Sequence, residues 1–297
     1  MSYCRPIQFL VFVLCLKLCC SNALAQQQTA KQEFELREGV VYAKVEDEEL
    51  KLDAYIPKAG ENHPAVLVLF GGAWRRGNRK QLRSYATELA KRGFACFAID
   101  YRLAPKHKFP AQIDDCRSAV KWIRKNADKY DVDGKRLGVI GYSAGGHLAT
   151  LLGATGEAPS EENGNVDTRI QAVAAGGAPT DFRWMPDNGN WAKYWMGGNI
   201  SEVPEKFKQA SSAAFIDKDD PPMFFFHGQQ DLLVPLVWAT SCHFALKKAG
   251  VKTVLHTVDG ANHRQAAADS SALAKACEFL ITELKVEGSG KENKKSD

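Results

Sequence analysis

Short apolar runs alternate with longer amphipathic segments along most of the chain. Eight runs rich in Val, Ile, Leu and Phe have the length of β-strands, at residues 40–45, 50–56, 65–70, 94–99, 136–141, 170–176, 223–227 and 252–258. Five segments between them have the spacing of helices, at residues 79–92, 111–129, 144–153, 236–248 and 265–284. Strands that alternate with helices in this way predict a sheet that is covered by helices.

The first two apolar runs differ from the later ones. Residues 50–56 alternate polar with apolar positions and closely follow residues 40–45, so the pair predicts an antiparallel hairpin that is half exposed to water. The later runs, such as AVLVLF at 65–70, are continuously apolar, which is typical of parallel strands buried on both faces. The pattern therefore predicts an α/β fold: an eight-stranded, mostly parallel sheet with an N-terminal antiparallel hairpin and helices on both faces.

Composition excludes some classes of protein, and the N-terminus points to export. The 297 residues are 45% hydrophobic and carry a formal net charge of +4 with scattered basic residues, so neither a disordered chain nor a nucleic-acid partner is expected. Arg5 precedes an apolar stretch at 7–18, and a small-residue site ends at Ala25. This layout predicts a signal peptide at 1–25, cleaved after Ala25, and a secreted or periplasmic protein with no membrane span after cleavage.

For the rest of the sequence we predict one folded domain at 26–285 and a disordered charged tail at 286–297. Within the domain, residues 183–215 form a long connection that contains several aromatic residues. Such a connection is typical of a lid or a substrate wall, and equally of a small helical insert that packs on itself. Oligomeric state is not readable from the sequence.

Cysteines and histidines show no metal-ligand spacing, and we expect neither a metal nor an organic cofactor. An exported chain with an even number of cysteines permits disulfides. The four cysteines beyond the leader nevertheless lie in strand-like and helix-like segments, which favours free, buried thiols: Cys96, Cys116, Cys242 and Cys277.

The strongest chemical signal is the G-Y-S-A-G sequence at 141–145. It follows an apolar run and opens a helix, the setting in which the G-x-S-x-G pattern marks a nucleophile on a sharp strand-to-helix turn. Ser143 is therefore the candidate nucleophile. A serine hydroxyl needs a base to take its proton and a carboxylate to orient that base.

His263 is the candidate base, because it lies in a loop between the last strand and the last helix. His227 and His147 are interpreted as structural residues. Asp231 follows the strand at 223–227, at the carboxyl end of the sheet where open α/β sheets build their sites, and is the candidate carboxylate. Asp259 and Asp217 are competitors for that role.

A glycine pair directly after the strand at 65–70 completes the constellation. We predict that the backbone N–H groups of Gly71, Gly72 and Ala144 form an oxyanion hole, because glycines allow the main chain to approach a substrate closely. An ordinary turn is the alternative interpretation of the glycine pair.

The chain resembles α/β-hydrolases of the carboxylesterase/lipase group, in the branch of hormone-sensitive-lipase-like and bacterial feruloyl-esterase-like enzymes. Four blocks carry this resemblance over about residues 40–285: FGGAWRRG, DYRLAP with a later FP, GYSAGGHLA, and HGQQDLLVP with GANH. The resemblance implies Ser143, His263 and Asp231 as a catalytic triad that cleaves esters through an acyl-enzyme. One departure is that Phe70 and Ala73 replace the first His and the third Gly of the usual H-G-G-G-W pattern.

The substrate is expected to be a small-molecule or oligosaccharide ester, with acetylated or feruloylated carbohydrate as the specific hypothesis. Amide, formamide or peptide hydrolysis on the same scaffold and a catalytically inactive binding protein are the alternatives. The candidate substrate contacts are aromatic: Trp74, Tyr142, Trp184 and Trp195.

Overall fold

A computed structural model describes residues 33–160, 167–185 and 190–284, apart from the side chains of residues 190–192. The expected signal peptide at 1–25, the tail at 286–297 and part of the insert at 183–215 lie outside the described residues. From Phe34 onward the described residues form one compact unit.

One eight-stranded sheet organises this unit, in the order β1-β2-β4-β3-β5-β6-β7-β8. β2 is antiparallel to both β1 and β4, and the other neighbouring pairs are parallel. This arrangement confirms the predicted mostly parallel sheet with an N-terminal antiparallel pair. The strands are β1 (Phe34–Val45), β2 (Glu48–Pro57), β3 (His63–Leu69), β4 (Ala95–Ile99), β5 (Val132–Tyr142), β6 (Ala172–Gly176), β7 (Met223–Gly228) and β8 (Thr253–Val258).

Helices occupy the predicted segments, with two differences. The segment at 265–284 is divided, because the Asp269 side chain accepts a hydrogen bond from the N–H of Ala272 and caps a new helix there. The insert contributes two short helices of its own. The helices are α1 (Arg83–Lys91), α2 (Ala111–Lys125), α3 (Ala144–Ala154), α4 (Asn190–Trp195), α5 (Pro204–Ala210), α6 (Val237–Lys248), α7 (His263–Ala268) and α8 (Ser270–Glu283).

Alternate residues of the central strands feed two separate cores, one on each face of the sheet. Leu67 packs in the core that contains residues of α2, α3 and α6, whereas Val66 packs in the core that contains residues of α1 and α8. β2 corrects one expectation: it is not half exposed, and its residues 52–57 are buried because β2 lies between β1 and β4. Within the N-terminal pair, β1 is the partly exposed edge strand.

The cysteines of the described chain are free and buried: Cys96, Cys116, Cys242 and Cys277. Among the helices in the described residues, none is both long and apolar enough to cross a membrane.

Candidate active site

Ser143 lies on a strained turn between β5 and α3. Its φ of 57° and ψ of −121° are unusual for a residue with a Cβ, and its N–H donates to the carbonyl of Gly176 at 2.8 Å. A Cβ at Gly141 would lie 2.3 Å from the Gly145 oxygen, and one at Gly145 would lie 2.0 Å from the Leu69 oxygen. The two glycines are therefore required for α3 to begin this close to the strand ends, with Ser143 raised between them.

Asp231 follows β7 and is almost completely buried. One oxygen, Oδ1, accepts the N–H groups of Leu233 and Val234 at 3.0 and 2.8 Å, which fixes the carboxylate on its own turn. The other oxygen, Oδ2, lies 2.6 Å from Nδ1 of His263. Burial by itself raises the pKa of Asp231, but hydrogen bonds from His227, His263 and the Val234 N–H outweigh it and hold the pKa below its ordinary value. The carboxylate is thus ionised and aimed at the imidazole.

His263 is the first residue of α7, and its position is fixed by the helix cap before it. The Asn262 side chain accepts the N–H groups of Arg264 and Gln265, and the Gln265 side chain accepts the N–H of Asn262. The loop is also tied to the Asp231 turn, since the N–H of Gln230 donates to the carbonyl of Ala261 at 2.9 Å. The structure therefore pairs His263 with Asp231 rather than with the competitors.

The end of β6 brings the imidazole and the serine turn to one place. Gly176 accepts the N–H of Ser143, and a Cβ on the next residue, Gly177, would lie 2.9 Å from Cε1 of His263. Tyr142, immediately before the serine, donates its hydroxyl to the carbonyl of His263 at 2.6 Å. The strand ends thus gather all three candidate residues at one edge of the sheet.

The predicted oxyanion loop lies against the same turn. A Cβ at Gly71 would be 3.1 Å from Cβ of Ser143 and 2.8 Å from the Tyr142 oxygen, so only glycine permits this approach. The loop then passes through three consecutive positive φ values, 127° at Gly72, 54° at Ala73 and 59° at Trp74. Positive φ is costly for residues with a Cβ, by about 1–2 kcal/mol each. Ala73 occupies the position where the resembled pattern has its third glycine.

Contacts from distant parts of the chain hold this strained loop. The Trp74 indole N–H donates to Nδ1 of His147 at 3.1 Å, and the Trp74 carbonyl accepts the N–H of Ala104 at 2.9 Å. The hydroxyl of Tyr194, in α4, donates to the carbonyl of Ala73 at 3.0 Å. Strained backbone persists where its surroundings over-determine it, and these contacts do so here.

Phe70 braces the start of the loop. Its ring is stacked on that of Tyr101 at 4.1 Å between centroids, and the Tyr101 hydroxyl donates to the Phe70 carbonyl at 2.8 Å. A Cβ at Gly77 would lie 2.5 Å from the Phe70 ring, so the loop closes directly over it. Phe70 therefore fixes the loop by packing and through its main-chain carbonyl.

The contacts of His147 agree with its interpretation as a structural residue. It is fully buried, and its Nε2 lies 2.7 Å from the carbonyl of Ala210, to which it donates while Nδ1 accepts from Trp74. Burial lowers the pKa of His147 to about 4. The ring is neutral at pH 7 and links the predicted oxyanion loop to the last residue of α5.

The aromatic residues expected to contact substrate have different positions. Trp195 is fully buried and stacks on Trp74 at 3.6 Å between centroids, so it is corrected to a packing residue that has no surface to offer a ligand. Trp74 is also buried, and its hydrogen bonds hold the loop that contains it. Tyr142 is buried against His263. Trp184 is 83% exposed, and its role as a substrate contact stays a prediction.

His227 is a site residue whose contact the sequence did not reveal. It is fully buried in β7, its Nε2 donates to the carbonyl of Val234 at 2.7 Å, and the same atom lies 3.4 Å from Oδ2 of Asp231. The ring thus closes the turn that carries the carboxylate. Among the described residues, no group of three or more His, Cys, Asp or Glu side chains could hold a metal ion.

The strand order, the strained serine turn and the Asp–His pair at the carboxyl edge of the sheet define an α/β-hydrolase. The chain belongs to the BD-FAE family, whose model matches residues 52–246 and so includes Ser143 and Asp231. The resemblance to α/β-hydrolase esterases is confirmed.

Known proteins agree with this class. "Esterase LipC" of Mycobacterium tuberculosis is 34% identical over 203 residues, which cover 64% of this chain and 50% of that protein. The chain therefore spans about half the length of this curated relative. Among solved structures, a truncated carbohydrate esterase from gut microbiota has a TM-score of 0.77 at 25% identity and covers 86% of this chain and 99% of that one. A butyrate-bound esterase, Est2 of Thermogutta terrifontis, has a TM-score of 0.71 at 28% identity and covers 84% and 94%.

Proposed function

We propose that this protein is a serine carboxylic-ester hydrolase that acts through an acyl-enzyme. The observation that carries the proposal is the 2.6 Å contact between the ionised Asp231 and Nδ1 of His263, beside the strained Ser143 turn. Asp231 keeps the proton on Nδ1, which leaves Nε2 of His263 to act as a base. The esterases to which the chain is similar support the same chemistry.

The reaction follows from these positions in two steps. His263 takes the hydroxyl proton of Ser143 while the serine oxygen attacks the ester carbonyl, and the oxyanion is stabilised by main-chain N–H groups. Within the described chain, the N–H groups of Gly71, Gly72 and Ala144 donate to no protein acceptor and can serve this purpose. The alcohol then leaves with the proton from His263, and water hydrolyses the acyl-enzyme by the same route.

The test measures the hydrolysis of 4-nitrophenyl acetate by the wild type and by Ser143→Ala. The matched control is Ser84→Ala, which changes an exposed serine of α1. We expect Ser143→Ala to lose nearly all activity and Ser84→Ala to retain it. Incubation with paraoxon should also add one diethylphosphoryl group to the wild type and none to Ser143→Ala, measured by intact mass. Equal rates in all three proteins would remove the proposal.

For the natural substrate we propose an acylated carbohydrate, bearing acetyl or feruloyl groups. The structural likeness to a truncated carbohydrate esterase, over nearly the whole length of that chain, supports this choice. The hypothesis predicts a higher kcat/KM on acetylated xylo-oligosaccharide than on 4-nitrophenyl butyrate. A strong preference for the simple ester would contradict it.

We further propose that the protein is secreted or periplasmic after cleavage behind Ala25. The apolar stretch that follows Arg5 and the small residues before the cleavage position support this. N-terminal sequencing of the protein expressed in its native host should begin at Gln26, and an intact Met1 would contradict the proposal.

A further inference from the structure

Most arginines in the described residues are paired with carboxylates. Of the thirteen arginines in the described residues, ten have a nitrogen within 3.8 Å of an Asp or Glu oxygen. These ten are Arg37, Arg79, Arg83, Arg92, Arg102, Arg117, Arg124, Arg136, Arg169 and Arg183. An arginine in the described residues is therefore usually neutralised by a nearby carboxylate.

The three exceptions all lie beside the candidate catalytic groups. Arg75 and Arg76 directly follow the strained oxyanion loop, and Arg264 directly follows His263. All three are exposed, and within the described residues none has a carboxylate partner. The arginines of the described residues that no carboxylate neutralises therefore all lie next to the candidate active-site residues in the sequence.

Two of these arginines form a cluster with α4. The Arg75 guanidinium carbon lies 5.3 Å from the centre of the Tyr194 ring, whose hydroxyl bonds to the carbonyl of Ala73. The side chain of Arg76 leaves the loop against Gly72, where a Cβ would be 3.1 Å from Arg76 Cγ. Burial raises the pKa of Tyr194, and the positive charges of Arg75 and Arg76 oppose that rise, as expected if both are close to the ring. The Arg75 guanidinium is thus held beside α4, near the predicted oxyanion loop, and Arg76 leaves the same loop.

Unpaired guanidinium groups beside a reaction centre favour an anionic substrate. Arginine binds carboxylates through two parallel hydrogen bonds, and a surface of one charge raises the rate at which oppositely charged ligands arrive. We propose that the natural ester carries a carboxylate close to the scissile bond, and that Arg75 and Arg76 bind it, with Arg264 adding to the attractive field. This inference rests on the proposed esterase function. An acylated acidic oligosaccharide, in which a uronic acid provides the carboxylate, has the required chemistry.

Matched pairs of anionic and neutral esters test this preference and locate the charge. For an acyl-side carboxylate, 4-nitrophenyl hemiadipate is compared with 4-nitrophenyl hexanoate. For an alcohol-side carboxylate, 4-acetoxybenzoate is compared with 4-acetoxybenzamide. The measured quantity is the ratio of kcat/KM for the anionic ester to that for the neutral one. Comparing this ratio between proteins cancels the intrinsic reactivity of each ester.

The variant is Arg75→Gln with Arg76→Gln, and the control is Arg83→Gln with Lys91→Gln. The control removes the same charge from exposed positions of α1, outside the site. We expect the anionic-to-neutral ratio of at least one pair to fall about tenfold in the variant, because the charge-assisted hydrogen bonds between guanidinium and carboxylate are lost. The control should keep the wild-type ratio. The pair that responds shows which side of the ester carries the charge.

A second measurement needs only the wild-type protein and covers the case in which the double variant does not fold. Raising the ionic strength from about 0.02 to about 0.3 M should lower kcat/KM for the anionic ester and leave the neutral ester nearly unchanged, since salt screens exposed charges. Ratios that are equal in variant, control and wild type for both pairs would overturn the anionic-substrate proposal. Loss of the esterase function itself is distinguished by the Ser143→Ala comparison, in which neutral esters would show no serine-dependent hydrolysis.

Discussion

Protonation of His147 should weaken the fold at acidic pH. The ring is fully buried, and both nitrogens are used in the neutral form: Nδ1 accepts from the Trp74 indole and Nε2 donates to the carbonyl of Ala210. A proton added to Nδ1 would face the indole N–H and break that bond. Since Trp74 belongs to the oxyanion loop, acid should affect both stability and the geometry of the site.

The magnitude follows from the pKa of the ring in the two states. Burial lowers the pKa of His147 to about 4 in the folded protein, whereas a histidine in an unfolded chain titrates at about 6.5. Because the unfolded state takes the proton first, the stabilisation is fully present above about pH 6.5 and is lost as the pH falls toward 4. At about 1.4 kcal/mol per pH unit, the loss amounts to about 3 kcal/mol.

The assay is urea denaturation between pH 7 and pH 4, followed by tryptophan fluorescence, for the wild type and His147→Gln. Glutamine can accept and donate in similar positions but does not titrate. Every other ionisable group is common to both proteins, so the difference between their curves isolates His147. We expect the free energy of unfolding of the wild type to fall by about 3 kcal/mol more than that of the variant over this interval.

A matched control is His243→Gln, in which a partly exposed histidine paired with Thr253 is removed. It should keep most of the wild-type pH dependence. Parallel curves for the wild type and His147→Gln would refute the reasoning, because they would mean that the buried ring contributes nothing to the acid sensitivity of the fold.

Two further predictions concern the site. Asp231→Asn should lower kcat by about 10⁴-fold with a smaller change in KM, because the amide can no longer hold the required tautomer of His263; a variant with near-wild-type kcat would contradict the proposed pair. Tyr194→Phe removes the hydrogen bond to the carbonyl of Ala73, a bond of about 1 kcal/mol, and should lower kcat about fivefold while KM changes little. An effect on KM alone would assign Tyr194 to substrate binding instead of loop positioning.

Short-range sequence patterns predicted the strands and the serine turn, because these depend on residues that are close together along the chain. Continuous apolar runs identified the buried strands, since a parallel strand covered on both faces needs apolar side chains on both. The glycines around Ser143 were recognisable because a Cβ added at either position would lie less than 3 Å from other backbone atoms, so the turn requires glycine there. The position of His263 between the last strand and the last helix likewise follows from topology alone.

Contacts that join distant segments were not predictable in this way. Tyr194 and Ala73 are 121 residues apart, and Trp74 and His147 are 73 apart, so no periodicity relates them. Trp195 was mistaken for a substrate contact because aromatic residues in a long insert suit a binding wall and a packed core equally well. Only the stack of its ring on Trp74 decides between the two.

Ala73 explains why the insert matters for the chemistry. A glycine at this position would adopt its φ of 54° at no cost, whereas alanine strains the loop and favours its relaxation away from Ser143. The loop therefore depends on contacts outside itself, and α4 supplies one of them through Tyr194. Because the same helix packs on Arg75, movement of α4 would change the oxyanion donors and the cationic cluster together. The insert is thus coupled to the predicted oxyanion loop through Ala73, the residue that departs from the glycine of the resembled pattern.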